Sequence, residues 1–137
     1  MGALQPAESI PSLRERLPAS AGSVAVARHA ARRFAHGLDV DVDGLVLAVS
    51  EAVTNAVLHA YGEGGRGVVE LSGAASPSEV TVAVRDRGTG LAVAPGHVGG
   101  AGFGLDIIRH LAQQVDLADT PEGVVLTMRF RRRPRAG

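Results

Sequence analysis

The sequence predicts an α+β two-layer sandwich, in which a mixed, mostly antiparallel sheet carries helices on one face. Three observations predict it. Two amphipathic helical patterns open the chain, over residues 20–36 and from Asp41 or Asp43 to Tyr61, so the first half is helical. Two pairs of β-branched runs follow, each closed over a short turn-forming stretch as antiparallel hairpins require. A third helical pattern, residues 105–114, separates the pairs. At 137 residues the chain fits one domain, which at this size buries roughly two-thirds of the surface of its unfolded chain.

Residues 1–11 hold Pro6 and Pro11 without periodicity and read as a flexible lead-in. Residues 12–17 suit an edge strand. In the first helix Val24, Ala27, Ala31 and Phe34 recur at helical spacing, while Arg28, Arg32 and Arg33 lie elsewhere on the circumference. Gly37 suits its C-terminal cap; Asp41 or Asp43 can cap the second helix, which Gly62, Gly64 and Gly65 stop. Residues 68–73 and 79–85 read as adjacent antiparallel strands around Ser76-Pro77-Ser78. Residues 91–101, with Pro95, Gly96, Gly99 and Gly100, read as a mobile loop. Residues 115–118 and 124–130 form a closing hairpin around Pro121-Glu122-Gly123. The domain then spans residues 12–130, and residues 131–137 form a basic C-terminal tail.

Composition removes several classes of function. The 45% hydrophobic content contains no apolar run near the roughly 20 residues of a membrane span, and no charged-then-apolar leader opens the chain. A soluble, cytoplasmic protein without a membrane partner is expected. With no cysteine there is no disulfide framework, thiolate nucleophile or cysteine zinc site. Fourteen basic residues balance fourteen acidic ones, so no net field favours direct nucleic-acid binding. The one dense basic patch, Arg131, Arg132, Arg133 and Arg135, reads as a solvated tail. Every basic residue is Arg, which removes the lysine of a Walker-type phosphate loop. His36, His97 and His110 lack metal-ligand spacing.

Three segments carry chemistry, each with an ordinary alternative. On the second helix Glu51, Asn55 and His59 form a stripe at i, i+4 and i+8, beside the core positions Leu45, Val49, Ala52 and Ala56. The stripe either faces solvent or supplies an amide oxygen for Mg²⁺ and a carboxylate for an attacking hydroxyl. Asp86-Arg87-Gly88-Thr89-Gly90 ends a β-branched run, so it is either a strand-end turn or an acceptor for an exocyclic amine such as adenine N6. Gly99-Gly100-Ala101-Gly102-Phe103-Gly104 leads into the third helix; it is a glycine hinge or an anion site of backbone N–H groups at a helix start.

In order and spacing, Glu51-Ala52-Val53-Thr54-Asn55-Ala56, Asp86-x-Gly88-x-Gly90 and Gly102-Phe103-Gly104-Leu105 resemble the ATP-binding boxes of the histidine-kinase-like (GHKL) ATPase superfamily. The short segment at residues 91–101 and the single-domain length look like its anti-sigma-factor serine-protein kinases. The resemblance implies a Bergerat-type ATP-binding fold. By position, Asn55 would hold Mg²⁺, Glu51 would act as catalytic base and Asp86 would read adenine. Gly88, Gly90, Gly102, Phe103 and Gly104 would shape the pocket. It further implies a homodimer that sequesters a sigma factor and phosphorylates a serine of an anti-sigma-factor antagonist. Two positions depart from the sporulation-type kinases, which have Arg where Gly100 stands and Thr where Val124 stands. They motivate a second reading, a non-catalytic module that acts by occupancy. A third, the ATP-binding domain of a sensor histidine kinase, needs a phosphoacceptor histidine; His29 is followed by Ala30-Ala31-Arg32-Arg33 rather than by an acid.

Overall fold

The computed structural model describes residues 12–61, 67–86 and 105–133, save the side chains of residues 59–61. The elements are β1 (Ser12–Pro18), α1 (Gly22–Ala35), α2 (Val42–Tyr61), β2 (Val68–Ala75), β3 (Glu79–Asp86), α3 (residues 105–111), β4 (Gln114–Thr120) and β5 (Gly123–Arg131). The strands form one sheet in the order β1-β2-β3-β5-β4, antiparallel at every described pairing. Because β5 lies between β3 and β4, those two strands run the same way, and the chain that joins them carries α3. This is the α+β architecture expected, with β1 at an edge.

Alternation along the strands decides which side the helices cover. Leu13 and Leu17 of β1, Val69 and Leu71 of β2, Val80, Val82 and Val84 of β3, and Leu126, Met128 and Phe130 of β5 are buried on one face. The opposite face holds Arg14, Arg16, Glu70, Arg85, Arg129 and Asp116, so it is the solvated one. Ion pairs there, such as Arg16–Glu70 at 3.9 Å, are exposed and each contributes at most about 1 kcal/mol. α1 packs on β1 and α2 packs on β2 and β3. At position 73 the packing is close: a Cβ there would stand 3.1 Å from Cε2 of Phe34 and 3.3 Å from Cβ of Leu13, so those side chains would have to give by a few tenths of an ångström.

Helix ends follow local chemistry. His36 N–H donates to the Arg32 carbonyl at 2.9 Å, and Gly37 then takes φ +91°, a conformation glycine adopts without a Cβ clash. At the start of α2, Gly44 N–H donates to Asp41 Oδ1 at 3.1 Å, so Asp41 is the cap. Asp43 instead pairs with Arg32 of α1 at 3.2 Å. α3 ends three residues earlier than its periodicity predicts, because Gln113 N–H donates to the Arg129 carbonyl at 2.7 Å and begins the β4 ladder.

The basic C-terminus also differs from the solvated tail expected. Arg131 belongs to β5, Arg132 N–H donates to the Ser78 carbonyl at 2.9 Å, and Arg133 N–H donates to the Asp39 carbonyl at 2.6 Å. These backbone bonds fasten the strand end to the β2–β3 turn and to the α1–α2 connection. Residues 134–137 lie outside the described residues, as does the lead-in, residues 1–11.

The Asp41 cap makes a double-mutant cycle informative. A Cβ on Gly44 would stand 2.5 Å from Asp41 Oδ2 and displace the capping carboxylate. Gly44→Ala gains up to about 1 kcal/mol of helix propensity and loses about 1 kcal/mol of cap. Denaturant melts should show Gly44→Ala near neutral alone and stabilising by roughly 0.5–1 kcal/mol in the Asp41→Ala background. Equal effects in both backgrounds would contradict this coupling.

Candidate functional site

β3 alternates Val80, Val82, Val84 on the apolar side, and one further step places Asp86 there too. It is 4% exposed, and the register sets it between Val69 of β2 and Val124 of β5. Among inner positions of β2, β3 and β5 it is the one charged residue. A carboxylate in apolar surroundings is costly, so a residue held there at a strand end is a candidate for ligand contact. Its Oδ2 oxygen is closed to solvent.

α2 approaches the same end of the domain. Only residues 62–67 separate Tyr61 from Val68, and Val69 stands opposite Asp86, so the C-terminal end of α2 lies at the Asp86 end of the sheet. Ala52, Val53, Ala56 and Val57 are buried against the core, whereas Glu51 and Asn55 are half-buried, one helical turn apart on the neighbouring face. Neither side chain has a hydrogen bond or ion pair among the described residues, which leaves the Glu51 carboxylate and the Asn55 amide oxygen open to a ligand. No group of three or more acidic or imidazole side chains gathers at a metal-sized spacing among the described residues.

Ile108 is fully buried and anchors α3 to the hydrophobic core. Gly88, Gly90, Gly102, Phe103 and Gly104, and with them Gly100, lie outside the described residues, as does the side chain of His59. The structure therefore locates the acid, the amide and the buried carboxylate of the expected site. It also gives Val124 a place that sequence order alone does not. Gly123, at φ +124°, closes the β4–β5 turn, and Val124 then stands directly across the ladder from Asp86, 7% exposed. The signal in the sequence was the Gly-Thr pair that the resemblance implies, which here reads Gly123-Val124.

Residues 17–130 match the family model described as "Histidine kinase-like ATPase domain". The chain belongs to this family. Over 119 residues it is 38% identical to the anti-sigma F factor of Pasteuria penetrans, a match covering 76% of the chain and 79% of that protein. It is 41% identical over 70 residues to the anti-sigma F factor of Lysinibacillus sphaericus, covering 49% of the chain and 48% of the relative. A crystal structure of RsbU and RsbW domains from Mycobacterium tuberculosis superposes with a TM-score of 0.64 at 24% identity, over 91% of this chain and 34% of that one. That likeness shows the fold. The histidine-kinase-like ATPase fold expected from the sequence boxes is thus the fold of this domain, and ATP binding belongs to the family. None of the described helices is long and apolar enough to cross a membrane.

The half-buried stripe should be dispensable for stability. Asn55→Ala removes a poor helix former and no bond among the described residues, so thermal melts should show it neutral or stabilised by up to about 0.7 kcal/mol. Glu51→Ala should stay within about 0.5 kcal/mol of the parent. A loss above about 1 kcal/mol at either position would mark a structural role.

Proposed function

We propose that this domain is an ATP-dependent anti-sigma factor with serine-protein kinase activity, which sequesters a sigma factor and phosphorylates an anti-sigma-factor antagonist. The observation that carries the reading is Asp86, a buried carboxylate on the side of the sheet that α2, the helix of Glu51 and Asn55, packs against. Supporting it, the relatives named above are anti-sigma F factors. Homodimerisation and a cytoplasmic site of action belong to the same reading.

The roles follow from the chemistry of each group. Asp86 accepts a hydrogen bond from the adenine amino group, a contact that guanine, with a carbonyl at that position, cannot make. Asn55 offers one neutral oxygen, the kind of ligand Mg²⁺ takes when phosphates and water complete its octahedron. The metal would neutralise charge on the phosphates. Gly102, Phe103 and Gly104 would cradle those phosphates through backbone N–H groups, with Gly88 and Gly90 beside the base. Glu51 takes the proton of the substrate serine as its oxygen bonds to the terminal phosphorus; the bond from that phosphorus to the bridging oxygen breaks and ADP departs.

Val124 favours a second reading, control by occupancy without transfer. Its side chain offers no hydroxyl beside Asp86, so a bridging hydrogen bond or water contact to the base is missing there. The two readings separate on transfer of labelled phosphate to serine of a bound antagonist. Transfer by the parent protein, lost in Glu51→Ala with ATP affinity retained, supports the kinase; a saturated complex without phosphoserine supports occupancy.

Nucleotide titrations check the remaining roles. Asp86→Ala should weaken ATP by about 1–3 kcal/mol and abolish the preference over GTP. Asn55→Ala should remove the Mg²⁺-dependent part of the affinity. Val124→Thr should tighten ATP by about 0.5–1.5 kcal/mol, and unchanged affinity would show that position 124 does not communicate with the base.

A further inference from the structure

A second polar site lies at the other end of the sheet from Asp86. There the β2–β3 turn, the start of β4 and the end of β5 enclose an open groove of about 540 Å³, in the size range of ligand sites. Four arginines, Arg129, Arg131, Arg132 and Arg133, are among the residues that line it. Two of them are engaged. Arg129 pairs with Asp116 at 3.1 Å and Glu79 at 3.7 Å, and Arg132 Nη1 donates to the Ser76 carbonyl at 2.8 Å. Against the carboxylates of Glu79 and Asp116, the four cations leave two positive charges in excess. Arg131 and Arg133 are exposed and have no ion pair among the described residues.

We propose that this groove docks an acidic peptide segment of a partner protein. Charge complementarity selects the occupant, because two open guanidinium forks match two carboxylates in bidentate geometry. The backbone is already ordered: Arg131 sits in the ladder opposite Glu79, and Arg133 N–H is bonded to Asp39. Fixing the backbone in advance lowers the entropy cost of binding. Gln113, Gln114 and Ser78 also line the groove, and their amides and hydroxyl can bond to a peptide backbone. The open side admits an extended chain. Since the groove and Asp86 occupy opposite ends of β3, peptide and nucleotide can be held at once.

Fluorescence anisotropy with a labelled octapeptide of alternating Asp and Ser tests this on the full chain. The parent should bind, with affinity falling as salt rises. Arg131→Ala/Arg133→Ala should weaken it about tenfold or more, a loss equal to roughly 1.4 kcal/mol. Arg131→Lys/Arg133→Lys, which keeps the charges but loses the forks, should lie between the two. Arg14→Ala/Arg28→Ala removes the same charge from exposed sites elsewhere and should bind like the parent. ATP affinity, measured in parallel, should be equal in all variants, so failure here is distinct from failure of the nucleotide assignment. No binding by the parent, equal losses in the two alanine pairs, or tighter binding of a single-stranded oligonucleotide of equal charge would each overturn the proposal.

Discussion

The pleat of β3 imposes the constraint on which the site depends. Successive side chains alternate sides, so the register that buries Val80, Val82 and Val84 under the helices must also turn Asp86 inward. A one-residue slip would send Asp86 to the solvated face and expose three valines, which the hydrophobic core forbids. The same register aligns Leu17, Val69, Asp86 and Val124 across four strands, so the carboxylate sits within an apolar row. Core packing thereby fixes the position of a carboxylate on the helix-covered side of the sheet. α2 packs on the same face and buries its alanine and valine rows, which leaves Glu51 and Asn55 half-buried on its flank.

Much of this was legible in the sequence because periodicity reports burial. Ala27, Ala31 and Phe34 on α1, and Leu45, Val49, Ala52 and Ala56 on α2, are buried as their spacing predicts. The strand pairs are likewise found as hairpins, closed by Ser76 and by Thr120, whose hydroxyl donates to the Gly123 carbonyl at 2.6 Å. What the sequence left open depends on contacts between distant segments. Between Asp41 and Asp43, the start of α2 at Val42 makes Asp41 the cap and leaves Asp43 in the first turn, where it pairs with Arg32 of α1. The early end of α3 turns on Arg129, sixteen residues after Gln113, whose carbonyl captures that residue's amide. Of the site, Glu51, Asn55 and Asp86 could be found from helical stripe and strand end, and the neighbour relation of Val124 to Asp86 needed the register.

The basic C-terminus shows how composition can mislead. A run of arginines after the last apolar residue looks like a solvated tail, yet the strand continues through Arg131, and Arg132 and Arg133 bond to two separate turns. The outcome is a domain with opposite chemistry at its two ends. At one end the buried Asp86 carboxylate closes β3; at the other, four arginines gather around the β2–β3 turn. Five strands hold these ends apart.

A crystal structure of the domain with Mg²⁺ and a non-hydrolysable ATP analogue tests the central assignment most directly. The proposed assignment predicts the adenine amino group within hydrogen-bond distance of the Asp86 carboxylate and the metal on Asn55 Oδ1. A nucleotide seated with Asp86 and Asn55 untouched, or bound in the arginine groove instead, would contradict it.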